Sequence, residues 1–187
     1  VEAIKAQVAL LAASPAYSAG TNLTWATAAD NAAIVLDRIG GVSGLSASGG
    51  TWYANTTEIA NLASGANPAE IIWRGDVGQS NSLEKSNFPP SLYGSGRVNP
   101  TQNIVDAFPA INGYPISDPA SGYSATNPYA NRDPRLSKYI LINGGKQGPS
   151  STVITTGTYG TNKDGLNKES GLSTRTGYYL LKLMRPD

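Results

Sequence analysis

Residues 131–135 read Asn-Arg-Asp-Pro-Arg. One carboxylate, Asp133, lies between two guanidiniums, Arg132 and Arg135, with a proline behind it. Two kinds of chemistry fit this arrangement. A carboxyl that keeps its proton is a general acid; one held ionised is a clamp. Flanking cations lower a carboxyl pKa, so Asp133 is expected to be ionised at neutral pH and to make a poor proton donor. Pro134 drives the preceding residue towards extended geometry, which leaves the Asp133 oxygens to accept backbone N–H groups or to pair with arginine. Asn131, Arg132, Asp133, Pro134 and Arg135 therefore read as a structural clamp.

A second constellation lies in "TGTYGTNKDGLN", which carries Tyr159, Asn162, Lys163 and Asp164. A flat aromatic ring beside an amide, an amine and a carboxylate suits a sugar: the ring stacks on its C–H face, and the polar groups bond its hydroxyls. The plainer reading of the same stretch is a solvated loop. Tyr93 in "PPSLYGSG", Tyr123 in "SGYSATNPY" and Trp52 in a Gly/Ser stretch are further candidates for stacking. Trp52 also reads as an aromatic packed beneath its loop, the usual place for so large a ring. Trp25 and Trp73 are expected in the core. "NKDG" lacks the oxygen-ligand run and closing Glu of an EF-hand calcium loop, and no metal site is assigned.

Composition narrows the chemistry. The 187 residues contain no Cys and no His, which excludes disulfides, thiolate nucleophiles, Ser-His-Asp triads and the usual zinc ligands. No cofactor is implied. Carboxylates, Lys and Tyr remain; a glycoside hydrolase built on Asp133, Asp164 or Glu169 is an alternative that sequence does not decide, because carboxylate separation is a three-dimensional quantity. The charge is +1 with no block of one sign, which gives no indication of a nucleic-acid partner or an anionic membrane surface. Only 14% of residues are charged, and ten Tyr accompany abundant Asn, Ser and Thr, a surface suited to neutral polar ligands outside the cell.

The elements that must position these residues follow from pattern. Residues 1–13 predict an Ala-rich helix with Ile4, Val8 and Leu11 on one face, ended by Ser14-Pro15. A second helix is predicted from about Asn22 to Ile39, with Trp25, Ala29, Ala32, Leu36 and Ile39 as its stripe and Gly40-Gly41 as its stop. Such a pair is of tetratricopeptide type, and one pair alone cannot bury its face, so partner helices are expected before it. A short helix is expected within "TTEIANLASG" and a buried strand over Ile71–Trp73. "NPTQNIVDAF" predicts a helix with Asn99 as cap, Pro100 in the first turn and Gln102 in a capping box, burying Ile104, Val105 and Phe108. Asn112-Gly113 and Asn143-Gly144 predict turns. Strands are expected over Tyr139–Ile142, over Thr152–Thr156 and within "TGYYLLKLM". Residues 157–176 read as a polar excursion.

Several segments, in order, resemble the signatures of the SusD/RagB family: "NPTQNIVDAFPAINGYPI", "PYANRDPRLSKYILING" and "TRTGYYLLKLMRPD". "AIKAQVALLAASPAY" with "WATAADNAAIVLD" resembles that family's tetratricopeptide helices. The resemblance implies a mainly α fold with irregular loops and short strands, in which a helix pair, residues 1–40, packs against a loop-rich region, residues 41–187, as parts of one larger domain. It implies a piece from the middle of a longer protein. It also implies a non-catalytic glycan-binding lipoprotein on the outer face of the Bacteroidetes outer membrane, delivering nutrient to a SusC-like TonB-dependent transporter. Membrane attachment is then through a lipid anchor not contained in this chain. A tetratricopeptide scaffold that binds another protein is the remaining alternative.

Overall fold

The computed structural model describes residues 1–45, 71–75, 80–157 and 163–185. Trp52, the "TTEIANLASG" helix, Tyr159 and Asn162 lie outside them. The described residues are mainly helical, with loops and a few two-residue strands. They fall into two compact units, one holding 1–45 and 71–75, the other 80–157 and 163–185.

The first unit is a helix pair, α1 (Glu2–Ala13) and α2 (Trp25–Arg38). Thr24 caps α2, its hydroxyl accepting from Thr27 N–H at 3.2 Å. The pair closes on alanine: Ala9, Ala13 and Ala28 form its buried cluster. Small side chains allow backbones to approach, so the bulkier residues stay outside. The expected stripe of α1 is therefore wrong by about one position; Ile4, Val8 and Leu11 are exposed, as are Ala29, Ala32 and Trp25 of α2. The inward row on α1 runs Ala3, Ala6, Ala9, Ala13. Arg38 reaches back to Glu2 as an exposed ion pair between the two helices. Residues 71–75 form no strand, and Trp73 is half exposed.

The second unit holds three short helices, α3 (Ser82–Asn87), α4 (Gln102–Ala107) and α5 (Pro134–Tyr139), and strands β1 (Ile140–Leu141), β2 (Lys146–Gln147), β3 (Thr152–Val153) and β4 (Tyr179–Leu180). β1 pairs antiparallel with β4, Ile140 opposite Leu180 and Leu141 opposite Tyr179; β2 pairs with β3. Successive strand residues face opposite ways, so the one β1–β4 ladder feeds two cores. Ile140 and Tyr178 join Val105 and Leu136, while Leu141 and Tyr179 join Ile154. The expected strand at Tyr139–Ile142 is thus shortened, because Pro134 starts a helix that runs through Tyr139. The strand expected over Thr152–Thr156 ends at Val153.

The start of α4 also differs from expectation. Thr101, not Asn99, is the cap residue, and its side chain makes no cap bond. Asn99 is drawn away: its amide donates to Gly96 O and its carbonyl accepts from Arg175 N–H. Gln102 accepts from the Tyr178 hydroxyl at 2.7 Å instead of closing a capping box. Val105 faces the core; Ile104 is half exposed.

The 131–135 segment joins these parts. Asn131 takes a left-handed backbone, φ 52°, which Asn tolerates better than most side chains. The chain then runs beside 109–111, with Ile111 N–H donating to Asn131 O and Asp133 N–H to Pro109 O. Arg132 is 7% exposed, and its guanidinium donates to Val105 O (2.6 Å), Phe108 O and Pro128 O (2.8 Å each). Asp133 caps α5, its Oδ1 accepting from Arg135 N–H at 2.8 Å, while Arg135 Nε donates to both carboxylate oxygens.

Replacing Arg132 with Met should lower unfolding free energy by about 3 kcal/mol or more, since three carbonyls lose a charged donor; a urea-denaturation difference under about 1 kcal/mol would contradict this. Asp133 gives a pH test. Hydrogen bonding from the Arg135 side chain holds its pKa below the ordinary 3.8, against an opposing push from burial. A pKa lowered by folding stabilises fully above the unfolded value, and the gain is lost as pH falls through the lower folded value. Asp133→Asn keeps a capping side chain but removes the charge. The stability gap between wild type and this variant should be open at neutral pH and close on acidification through that window. A gap that stays constant across it would remove the ion pair from the account.

Candidate functional site

The site is built outward from Tyr179. Its phenol is buried, and burial pushes its pKa up to about 12. The hydroxyl donates to Asp164 O at 2.9 Å and accepts from Thr174 N–H at 3.0 Å. Thr174, fully buried, turns the chain into β4: its Oγ1 donates to Tyr178 O and accepts from the N–H groups of Thr176, Gly177 and Tyr178. The described part of the 157–176 excursion is therefore tied down at Asp164 and Thr174, while residues 167–172 between them stay exposed. Asn143 holds the near end of that stretch, its Oδ1 accepting from Thr156 and Gly157 N–H.

Asp164 carries the connection onward. It is 2% exposed, and its Oδ1 accepts from Ser91 N–H at 2.7 Å. Ser91 belongs to a 3-10 turn, Pro90–Leu92, whose backbone is fixed by Pro89 before it and Pro90 at its first position. Leu92 packs on the Leu141–Ile154–Tyr179 cluster. The turn ends at Tyr93 in a left-handed conformation, φ 61°, ψ 22°, uncommon for an aromatic residue. Gly94 follows of necessity, because an added Cβ there would lie 2.1 Å from Phe88 O. The outcome is a tyrosine that is 91% exposed as a residue, with Lys163 Nζ 5.8 Å from its ring centroid.

The structure thus brings Tyr93, Lys163 and Asp164 together across 70 residues of sequence, with Tyr93 and Lys163 outward and Asp164 inward. Tyr123 lies elsewhere: the Arg132 guanidinium sits 5.7 Å over its ring, so it belongs to the 131–135 clamp. Trp52, Tyr159 and Asn162 lie outside the described residues, although Asn162 directly precedes Lys163 in the chain. Sequence reading missed Tyr179, Thr174 and Ser91, whose parts are positional; the only outward sign of them is the Tyr-Tyr doublet ahead of the final apolar run. Among the described residues, no three acidic side chains converge to hold a metal ion, and no helix is long and apolar enough to cross a membrane.

Asp164→Ala should leave Ser91 N–H without its acceptor and cost about 1–3 kcal/mol of stability. Urea unfolding checks this, and an unchanged midpoint would show that the two loops do not depend on that bond.

Comparison with known proteins adds one finding. A model of the SusD family matches residues 65–187, more than half of the chain. No curated protein and no solved structure matches it. Proteins of this family are in general non-catalytic; they bind glycans for nutrient uptake, work with SusC-like transporters and are associated with the outer-membrane surface. The matched region contains the 99–116, 128–144 and 174–187 segments together with the whole second unit, its clamp and the Tyr93–Lys163 surface, and on that match the chain belongs to the SusD family.

Proposed function

We propose that this chain is a glycan-binding part of a cell-surface lipoprotein that passes oligosaccharide to a SusC-like TonB-dependent transporter, and that it has no catalytic activity of its own. The helix pair and the loop-rich region act within one larger SusD-type domain. Tyr93 carries the reading. A tyrosine 91% exposed, on a backbone conformation that is disfavoured for it, is costly to keep unless its ring is used. Sugars present an apolar C–H face to such a ring. Lys163, whose ammonium lies over the ring, adds hydrogen-bond donors beside it, and Tyr159 and Asn162 are proposed from the sequence as further contacts. Asp164 holds the loops and does not touch the ligand.

Two observations weigh against hydrolysis. Asp133 is held ionised by Arg135, the wrong state for a general acid. Asp164 is committed to Ser91 N–H and is closed to solvent.

The test pairs calorimetry on soluble polysaccharides and oligosaccharides with an assay for released reducing sugar in the same samples. Binding without cleavage is expected, and Tyr93→Ala should weaken it roughly two- to tenfold, the range for loss of one aromatic contact. Release of reducing sugar would overturn the proposal and return attention to Asp133, Asp164 and Glu169.

A further inference from the structure

The charges around Tyr93 are sorted by depth. In the stretch 163–168 the lysines at both ends are exposed, and the carboxylate between them is not. Lys163 points to the Tyr93 ring. Lys168 lies across Gly165, where an added Cβ would meet its Cγ at 2.9 Å. Asp164 turns inward to Ser91 N–H. Glu169 follows, exposed, with its backbone closed onto Ser173 by three hydrogen bonds. Among the described residues Lys163 forms no ion pair; its contact is the aromatic ring. An ammonium resting on a ring face competes with any sugar that stacks there. A neutral sugar that displaces it offers only hydroxyl oxygens as acceptors in return. A sugar bearing an anionic group gives the displaced ammonium a partner at the ring edge.

We infer that Lys163 makes the Tyr93 surface selective for glycans with an anionic group on the stacked sugar, a uronate carboxylate or a sulfate ester. This rests on the stacking role proposed for Tyr93. An ammonium is a compact point charge without the planar fork of a guanidinium, so it accepts either anion. The gain is that of an exposed ion pair, and it is screened by salt.

The experiment compares uronate oligosaccharides with their methyl esters, which keep the sugar rings and remove the charge. A second pair, a neutral oligosaccharide with and without sulfate esters, separates the two anions. Binding is measured by calorimetry at low ionic strength and again in about 1 M salt, where screening acts over about 3 Å. Wild type should prefer the charged member of at least one pair roughly two- to fivefold at low salt, falling to parity in high salt. Lys163→Gln should abolish the preference by weakening only the charged ligand, and Lys163→Arg should retain it. Equal binding of charged and uncharged members by wild type, or an undiminished preference in Lys163→Gln, overturns the charge inference. Tyr93→Ala separates the two layers. Equal weakening of charged and uncharged ligands supports stacking as the base of the site, while unchanged affinity for both removes the Tyr93 site and this inference with it.

Discussion

The second unit depends on where one buried guanidinium sends its hydrogen bonds. The last carbonyls of a helix lack partners within it, and buried ones must find them elsewhere. Arg132 supplies two of them at the end of α4 and a third from the turn at Pro128. The same residue leads into Asp133, which caps the start of α5. The end of one helix and the beginning of another are thus fixed by neighbouring residues of a single turn, with the Tyr123 ring lying against the cation. Val105 and Leu136, one from each helix, meet in the core that results.

From there order is passed through hydroxyls and side-chain carbonyls. The chain has no cysteine to staple its loops. A buried Thr174 hydroxyl gathers three amide groups, the Tyr179 phenol links that turn to Asp164, and Asp164 links to the 3-10 turn before Tyr93. Thr174 Oγ1, the Tyr179 hydroxyl and Asp164 Oδ1 each meet a partner, which is what makes such a network rigid; the Ser91 hydroxyl beside them is buried without one. A loop-rich composition here coexists with fixed loops, because the bonds that fix them run between segments distant in sequence.

This explains which parts of the molecule were legible beforehand. The Asn-Arg-Asp-Pro-Arg run declares its chemistry locally: Pro sets the backbone, and Arg135 is two residues from its partner. Asn112-Gly113 is likewise local, with Gly113 at φ 87°. The helix pair was legible as helices but not as faces, since alanines and larger apolar residues both recur at helical spacing and only the approach of the two axes decides which row is buried. Asp164 read as a surface ligand because nothing adjacent to it hints at Ser91. The β1–β4 ladder was equally hidden, because Leu141 and Tyr179 lie far apart in the chain and no adjacent turn announces their pairing. The family signatures were readable as an ordered set well before any of these contacts.

The backbone at Tyr93 has a consequence for how this protein can change. A left-handed residue is most at ease as glycine or asparagine, and a non-glycine residue there carries a cost of about 1 kcal/mol or more. Substitution to glycine relaxes the turn and deletes the ring in one step. On the stacking role proposed for Tyr93, thermal robustness and ligand capture pull in opposite directions at a single codon. A selection that rewards only resistance to heat will drift towards the small residue and empty the surface. A sturdier version that still captures ligand must gain its stability elsewhere, for instance among the exposed apolar side chains of the helix pair.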